Sequence, residues 1–187
     1  MRKILFETHH LYYLPNFIPI IEALKVRGGY DIYISMPGYM HERELKLFYS
    51  ACSLMSLKII KAGTEDNRVE KIKSSKFDVI IVGNVGQLTK IVSDSTIAVM
   101  VYHGIGLKQS YYNDIDQRID IRSVESEARY NKLIDQGHRN LALTGYTKLD
   151  PLILSKKNDK NNVKEKLGIK NDLPTVLYAP TFYPTSF

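Results

Sequence analysis

IAVMVYHGIGLK, Ile97 to Lys108, opens on an unbroken apolar run and closes on chemistry. Ile97, Val99 and Val101 are β-branched, and the run to Val101 reads as a strand buried on both faces, the kind found inside a parallel sheet. Tyr102, His103, Gly104, Gly106 and Lys108 follow directly, so a titratable imidazole stands where the strand meets a glycine-permissive turn carrying a cation. In an open α/β sheet this carboxyl edge is where ligands bind. Two nearby glycines let backbone N–H groups approach a phosphate closely, and a helix starting near Lys108 would add its positive end and an ammonium charge. The pattern predicts an anionic substrate beside a base. The competing reading of the same residues is an ordinary strand-to-helix turn with a surface histidine.

Length and charge bound the rest. The 187 residues suffice for one well-buried α/β domain with some surplus, too few for two. A 44% apolar and 25% charged composition is that of a globular protein, and no apolar stretch approaches transmembrane length. MRKILFETHH breaks its apolar run at Glu7 and reads as a first strand, not a signal peptide, so a cytoplasmic location is expected. Cys52 is the one cysteine, at an apolar position of a helical pattern with Leu45, Phe48 and Tyr49, which predicts a buried, inert thiol. The formal net charge of +6 favours anionic partners: nucleic acid, sugar nucleotides or an anionic membrane surface.

Strands and helices alternate along the chain. Strands are predicted at Lys3 to Thr8, Tyr30 to Ser35, Leu57 to Ile60, Asp78 to Val82, Ile97 to Val101, Ile119 to Val124 and Leu141 to Thr144. Between them, helical spacing links Leu14, Phe17, Ile21 and Leu24, with Asn16 as cap and Pro19 in the first turn. A second helix runs from Glu42 and Glu44 to Cys52, a third follows Thr64, a fourth carries Leu88 and Ile91, and a fifth follows Ser126 or Ser123. The predicted fold is an α/β parallel sheet with helices on both faces, spanning residues 1–154. Residues 155–173 read as a polar, lysine-rich linker with room for one short helix at Val163 and Leu167. Thr175 to Ala179 reads as a new strand within 174–187, expected to be the start of a second, incomplete domain because a lone strand has no partner.

The other chemistry-bearing residues weigh differently. His9 and His10 follow the first strand at the same sheet edge as His103 and are candidates for substrate contact, plain loop packing being the other reading. Three imidazoles suggest zinc, but no helical H-x-x-x-H pair or nearby cysteine supports a ligand set, and no metal is expected. Asp114 and Asp116 form a D-x-D pair that follows no strand and reads as a solvated turn. His41 and His138 read as capping positions at helix ends. No Walker loop, third dinucleotide-fingerprint glycine or G-x-S-x-G elbow occurs, which disfavours nucleotide hydrolysis by a P-loop, a nicotinamide oxidoreductase and a serine hydrolase. Nucleic-acid binding is disfavoured because the basic residues gather in the linker without interleaved aromatics.

HHLYYLP after the first strand, VYHGIGLKQSYY, DIRSVESEARY, TGYTKLDPL and LYAPTFYP together resemble the CDP-glycerol glycerophosphotransferase family of wall teichoic acid synthesis, in order and in spacing. The resemblance implies a GT-B type architecture in which two Rossmann-like domains close over a cleft, the first receiving the acceptor and the second the donor nucleotide. It implies transfer of glycerol phosphate from CDP-glycerol to a hydroxyl of a lipid-linked polyol phosphate or glycan acceptor, releasing CMP, on the inner membrane face and without a cofactor. HGIGLK corresponds to the family's H-G-x-x-x-K motif, which makes His103 catalytic and places Gly104, Gly106 and Lys108 near phosphate. YAPT at Tyr178 to Thr181 corresponds to the motif that opens the second domain, giving Thr181 a substrate-binding role; Tyr183 stands where many members carry arginine. The chain by itself is then expected not to catalyse the transfer. The alternatives are a related GT-B glycosyltransferase or sugar-nucleotide epimerase, or a non-catalytic fragment.

Overall fold

Seven strands form one all-parallel sheet in the computed structural model, which describes residues 1–86, 88–104, 118–154, 160–169 and 173–179. The first five are β1 (Arg2–Glu7), β2 (Tyr30–Ser35), β3 (Lys58–Ile60), β4 (Val79–Val82) and β5 (Ile97–Val101), followed by β6 (Ile121–Val124) and β7 (Leu141–Leu143). Their order across the sheet is β3-β2-β1-β4-β5-β6-β7. The chain therefore winds outward from β1 in one direction, returns, and winds outward in the other. The reversal falls between β1 and β4, whose register sets Ile4 beside Val79 and Glu7 beside Val82.

The helices named here are α1 (Leu14–Arg27), α2 (Glu42–Leu54), α3 (Glu65–Ser75), α4 (Leu88–Ile91) and α5 (Glu127–Asp135), with short turns of helix at α6 (Asp150–Leu154) and α7 (Lys160–Lys166). Alternation along the strands sends side chains to two cores. Ile4 and Phe6 of β1, Ile32 and Ile34 of β2, and Val101 of β5 pack with Phe17 and Ile21 of α1 and Phe48 and Cys52 of α2. Leu5, Ile80, Val82, Ala98 and Met100 point the other way, to Ile72 of α3 and Leu88 and Ile91 of α4. A parallel sheet covered on both faces by the helices of its own crossovers is a Rossmann-like α/β fold, the predicted class.

Local signals explain most boundaries. Thr64 Oγ1 accepts from Asn67 N (3.2 Å) and Ser126 Oγ from Arg129 N (3.3 Å), so both cap helices; of the two serines considered for α5, Ser126 is the cap. His41 Nδ1 accepts from Arg43 N at 3.2 Å and caps α2. Two expectations need correction. Helix α1 begins at Leu14, straight out of a 3-10 turn over Leu11–Tyr13, so Pro15 occupies the first turn, Pro19 lies inside the helix and Asn16 is a buried helix residue, not a cap. Thr175 to Ala179 forms no strand: strand propensity there is not answered by a neighbouring strand among the described residues, and a strand without a ladder has nothing to bond to. The short helix expected near Val163 is α7.

The chain divides into two compact units, Met1–Pro151, which holds the whole sheet, and Leu152–Phe187. Among the described residues no helix is long and apolar enough to cross a membrane. Cys52 is fully buried and unbonded, and burial pushes its thiol up to about 11. An Ellman-type thiol reagent at neutral pH should therefore leave the native protein unmodified and react only once denaturant exposes the side chain; rapid labelling of the folded protein would show that this core opens.

Candidate active site at the carboxyl edge of the sheet

Strand order reverses between β1 and β4, and in α/β sheets the crevice outside the carboxyl ends at such a reversal is the place where ligands bind. The loops after β1, β4 and β5 meet around it. After β5, His103 is half-buried, and its Nδ1 lies 2.9 Å from the carbonyl oxygen of Gly83 in the loop after β4. A carbonyl only accepts, so this contact requires the proton on Nδ1 and leaves the lone pair of the neutral imidazole on Nε2. The backbone is tied as well, with Tyr146 Oη donating to the His103 carbonyl at 3.0 Å.

Tyr13, at the end of the 3-10 turn that follows β1, backs the imidazole. Its ring is 1% exposed and lies 4.7 Å from that of His103 at an interplanar angle of 35°. Asn84 Nδ2 donates to Tyr13 Oη at 2.7 Å. A Cβ at Gly83 would come within 2.8 Å of Tyr13 Cδ2, so only glycine lets the β4 loop approach this ring. Tyr12 completes an aromatic patch, 5.4 Å from His103 and stacked on His10 at 5.0 Å.

The predicted site residues thus separate. His10 and His103 share the aromatic patch at the crevice. His9 is 7% exposed and packs under Gly86, where a Cβ would fall 2.1 Å from His9 Nε2; Gly86 has φ +47°, which favours glycine on backbone grounds too. Burial holds the His9 imidazole below its ordinary pKa, and Glu7, 3.7 Å away, only partly opposes this. Gly104 is half-buried next to His103. Gly106, Lys108, Asp114, Asp116 and Thr181 lie outside the described residues. Among the described residues no three histidine, cysteine or acidic side chains stand together as a metal-ligand group.

Beneath the crevice lies a charge network the sequence did not announce. Glu7, the last residue of β1, is fully buried, and Arg68 Nη1 of α3 donates to both its oxygens at 2.6 and 2.7 Å. Arg68 also donates to Glu65 at 2.5 and 2.8 Å and to Ser35 Oγ at 3.2 Å, while the Ser35 hydroxyl donates to Glu7. Beside β5, Tyr102 is clamped by two buried arginines: Arg122 Nη1 donates to its hydroxyl at 3.1 Å, and the Arg129 guanidinium stacks 3.8 Å over its ring. Tyr13, Gly83, Asn84, Tyr146 and the arginines were all missed as site-builders. The one local signal was G-N-V-G, Gly83 to Gly86, a pair of glycines directly after a buried strand at the binding edge.

The sequence model of the CDP-Glycerol:Poly(glycerophosphate) glycerophosphotransferases matches residues 70–186, more than half of the chain. The chain belongs to this family. The match runs through Gly83, His103 and the DIRSVESEARY segment, while His9, His10 and Tyr13 precede it. It agrees with the resemblance carried by the motifs and places the chain in a family of transferases. Among solved structures, the UDP-GlcNAc 2-epimerase from Neisseria meningitidis bound to UDP-GlcNAc is 15% identical with a TM-score of 0.58, over 91% of this chain and 55% of that one. S. aureus MnaA with UDP is 16% identical with a TM-score of 0.60, over 90% of this chain and 52% of that one. A putative UDP-N-acetylglucosamine 2-epimerase from Listeria monocytogenes is 13% identical with a TM-score of 0.58, over 89% and 50%. These likenesses are of fold. The chain spans about half the length of these structures. No curated protein matches it.

Proposed function

We propose that this domain receives a hydroxyl-bearing acceptor at the crevice between β1 and β4, and that His103 is the base for transfer of glycerol phosphate from CDP-glycerol to that hydroxyl. The observation that carries the proposal is the anchoring of His103 through Nδ1 at the carboxyl edge. The acceptor oxygen attacks the phosphorus that bears glycerol, its proton passes to His103 Nε2, and the bond from that phosphorus to the bridging oxygen breaks so that CMP leaves. Histidine suits the step because its unperturbed pKa lies near neutrality. Charge developing on the phosphoryl oxygens calls for donors, the role assigned to the backbone around Gly104 and Gly106 and to Lys108, with Thr181 on the donor side. His10, on the aromatic patch, is assigned to acceptor contact; the burial of His9 suits it to holding the β1 and β4 loops together.

The acceptor in this reading is a lipid-linked polyol phosphate or glycan, and the protein works on the inner membrane face. The +6 net charge supports attachment, since each lysine near an anionic surface adds about 1 kcal/mol. The full-length protein, taken as this domain joined to the complete donor-binding domain that the proposal requires, is expected to release CMP from CDP-glycerol and a lipid-linked acceptor analogue only when both are present. Turnover of a UDP-sugar instead, with CDP-glycerol inert, would overturn the assignment. Co-sedimentation with phosphatidylglycerol vesicles should be strong at low salt and lost at high salt; no binding at low salt would defeat the electrostatic account.

A further inference from the structure

We propose that Tyr13 is a positioning residue for His103, fixing the imidazole in the state with hydrogen on Nδ1 and the lone pair on Nε2. This rests on the reading of His103 as base, and it gives a physical task to Tyr13, a residue of the HHLYYLP segment that had been assigned none. An imidazole at the end of a strand, on a glycine-containing loop, has two free torsions and two neutral tautomers. A base is useful only in one orientation and one tautomer, because the wrong tautomer presents N–H where a lone pair is needed.

Two contacts converge to remove that freedom. The Gly83 carbonyl, 2.9 Å from Nδ1, selects the tautomer. The Tyr13 ring, 4.7 Å away and inclined by 35°, closes one side of the imidazole so that it cannot swing off that carbonyl without losing the contact. Tyr13 is itself immobilised, buried to 1% exposure, bonded through Oη to Asn84 and in contact with the bare Cα side of Gly83. The residue that presents the selecting carbonyl is thus also the one that must lack a side chain for the ring to fit. Partners that lie 20 and 71 residues apart along the chain are brought together by one loop, Gly83 and Asn84. Tyr13 touches no reacting atom in this account; it acts through His103.

The test reads the tautomer directly. The full-length protein, isotope-labelled only at histidine, is examined by nitrogen NMR at about pH 8.5, where an imidazole of ordinary pKa is neutral. The His103 signal is identified by its loss in His103→Gln. The wild type is expected to show hydrogen on Nδ1, Tyr13→Phe to keep that signature, and Tyr13→Leu to revert to the mixed tautomers of a free imidazole. In the CMP-release assay Tyr13→Leu should lower kcat by roughly 10²-fold with KM little changed, and Tyr13→Phe should restore most of it. If Tyr13→Leu does not fold, Gly83→Ala displaces the ring without removing it and should produce the same tautomer loss. Hydrogen on Nε2 in the wild type, or an unchanged Nδ1 signature in the folded Tyr13→Leu or Gly83→Ala protein, would overturn the proposal. Absence of CMP release from the wild type would refute the transferase assignment alone, because the tautomer is read without turnover.

Discussion

His103→Ala in the full-length protein should reduce CMP release from CDP-glycerol by roughly 10² to 10⁴, the usual worth of a general base. The fall should appear equally in kcat and kcat/KM, since the proton is taken only as the new bond forms. Folding should be little affected. His103 lies past the last residue of β5, and the strand is held by its pairing with β4 and β6. Far-UV circular dichroism is the control. A folded variant with near-normal turnover would remove His103 from the mechanism, and the tautomer argument would lose its purpose with it.

Arg68→Met should destabilise the domain by about 3 to 5 kcal/mol, because it strands the buried Glu7 carboxylate without its cation. That is a large share of the 5 to 15 kcal/mol of a typical domain. Urea denaturation followed by circular dichroism measures it, and a loss under about 1 kcal/mol would show that the network is not what holds α3 to the sheet. The pH dependence has a definite sign. Arg68 hydrogen-bonds Glu65 and holds its carboxyl below the ordinary glutamate value of about 4.3. A depressed pKa contributes stability above the unfolded value and loses it as pH falls through the folded one. This part of the wild-type advantage over Arg68→Met should therefore be complete at neutral pH and shrink below about pH 4. Glu65 is partly exposed, so screening keeps its share of the total small.

The alternation of short apolar runs with period-3.6 apolar patterns determined by itself that this chain is an α/β protein. It placed β5 at Ile97 to Val101 to the residue, because a short β-branched run bounded by polar and glycine residues has one local solution. It also put His103 at a sheet edge, since whatever follows a buried parallel strand must emerge there. Caps at Thr64 and His41 were equally legible, being side chains that bond backbone two or three residues away, while for α5 the sequence left Ser126 and Ser123 open and the structure chose Ser126. Strand order was not legible: β4 pairs with β1 rather than β3, and no local pattern states which neighbour a crossover selects. Thr175 to Ala179 shows the same limit in reverse, a run with strand propensity but no ladder among the described residues. The site followed suit. Glu7 broke an apolar run in the sequence and so told against a signal peptide, yet it is buried because Arg68, 61 residues on, arrives to neutralise it. The need for glycine at Gly83 likewise arises only once folding brings the Tyr13 ring against it. Local periodicity fixes which elements form and which side chains face inward; burial of charge and the orientation of His103 depend on partners that only the tertiary fold brings into contact.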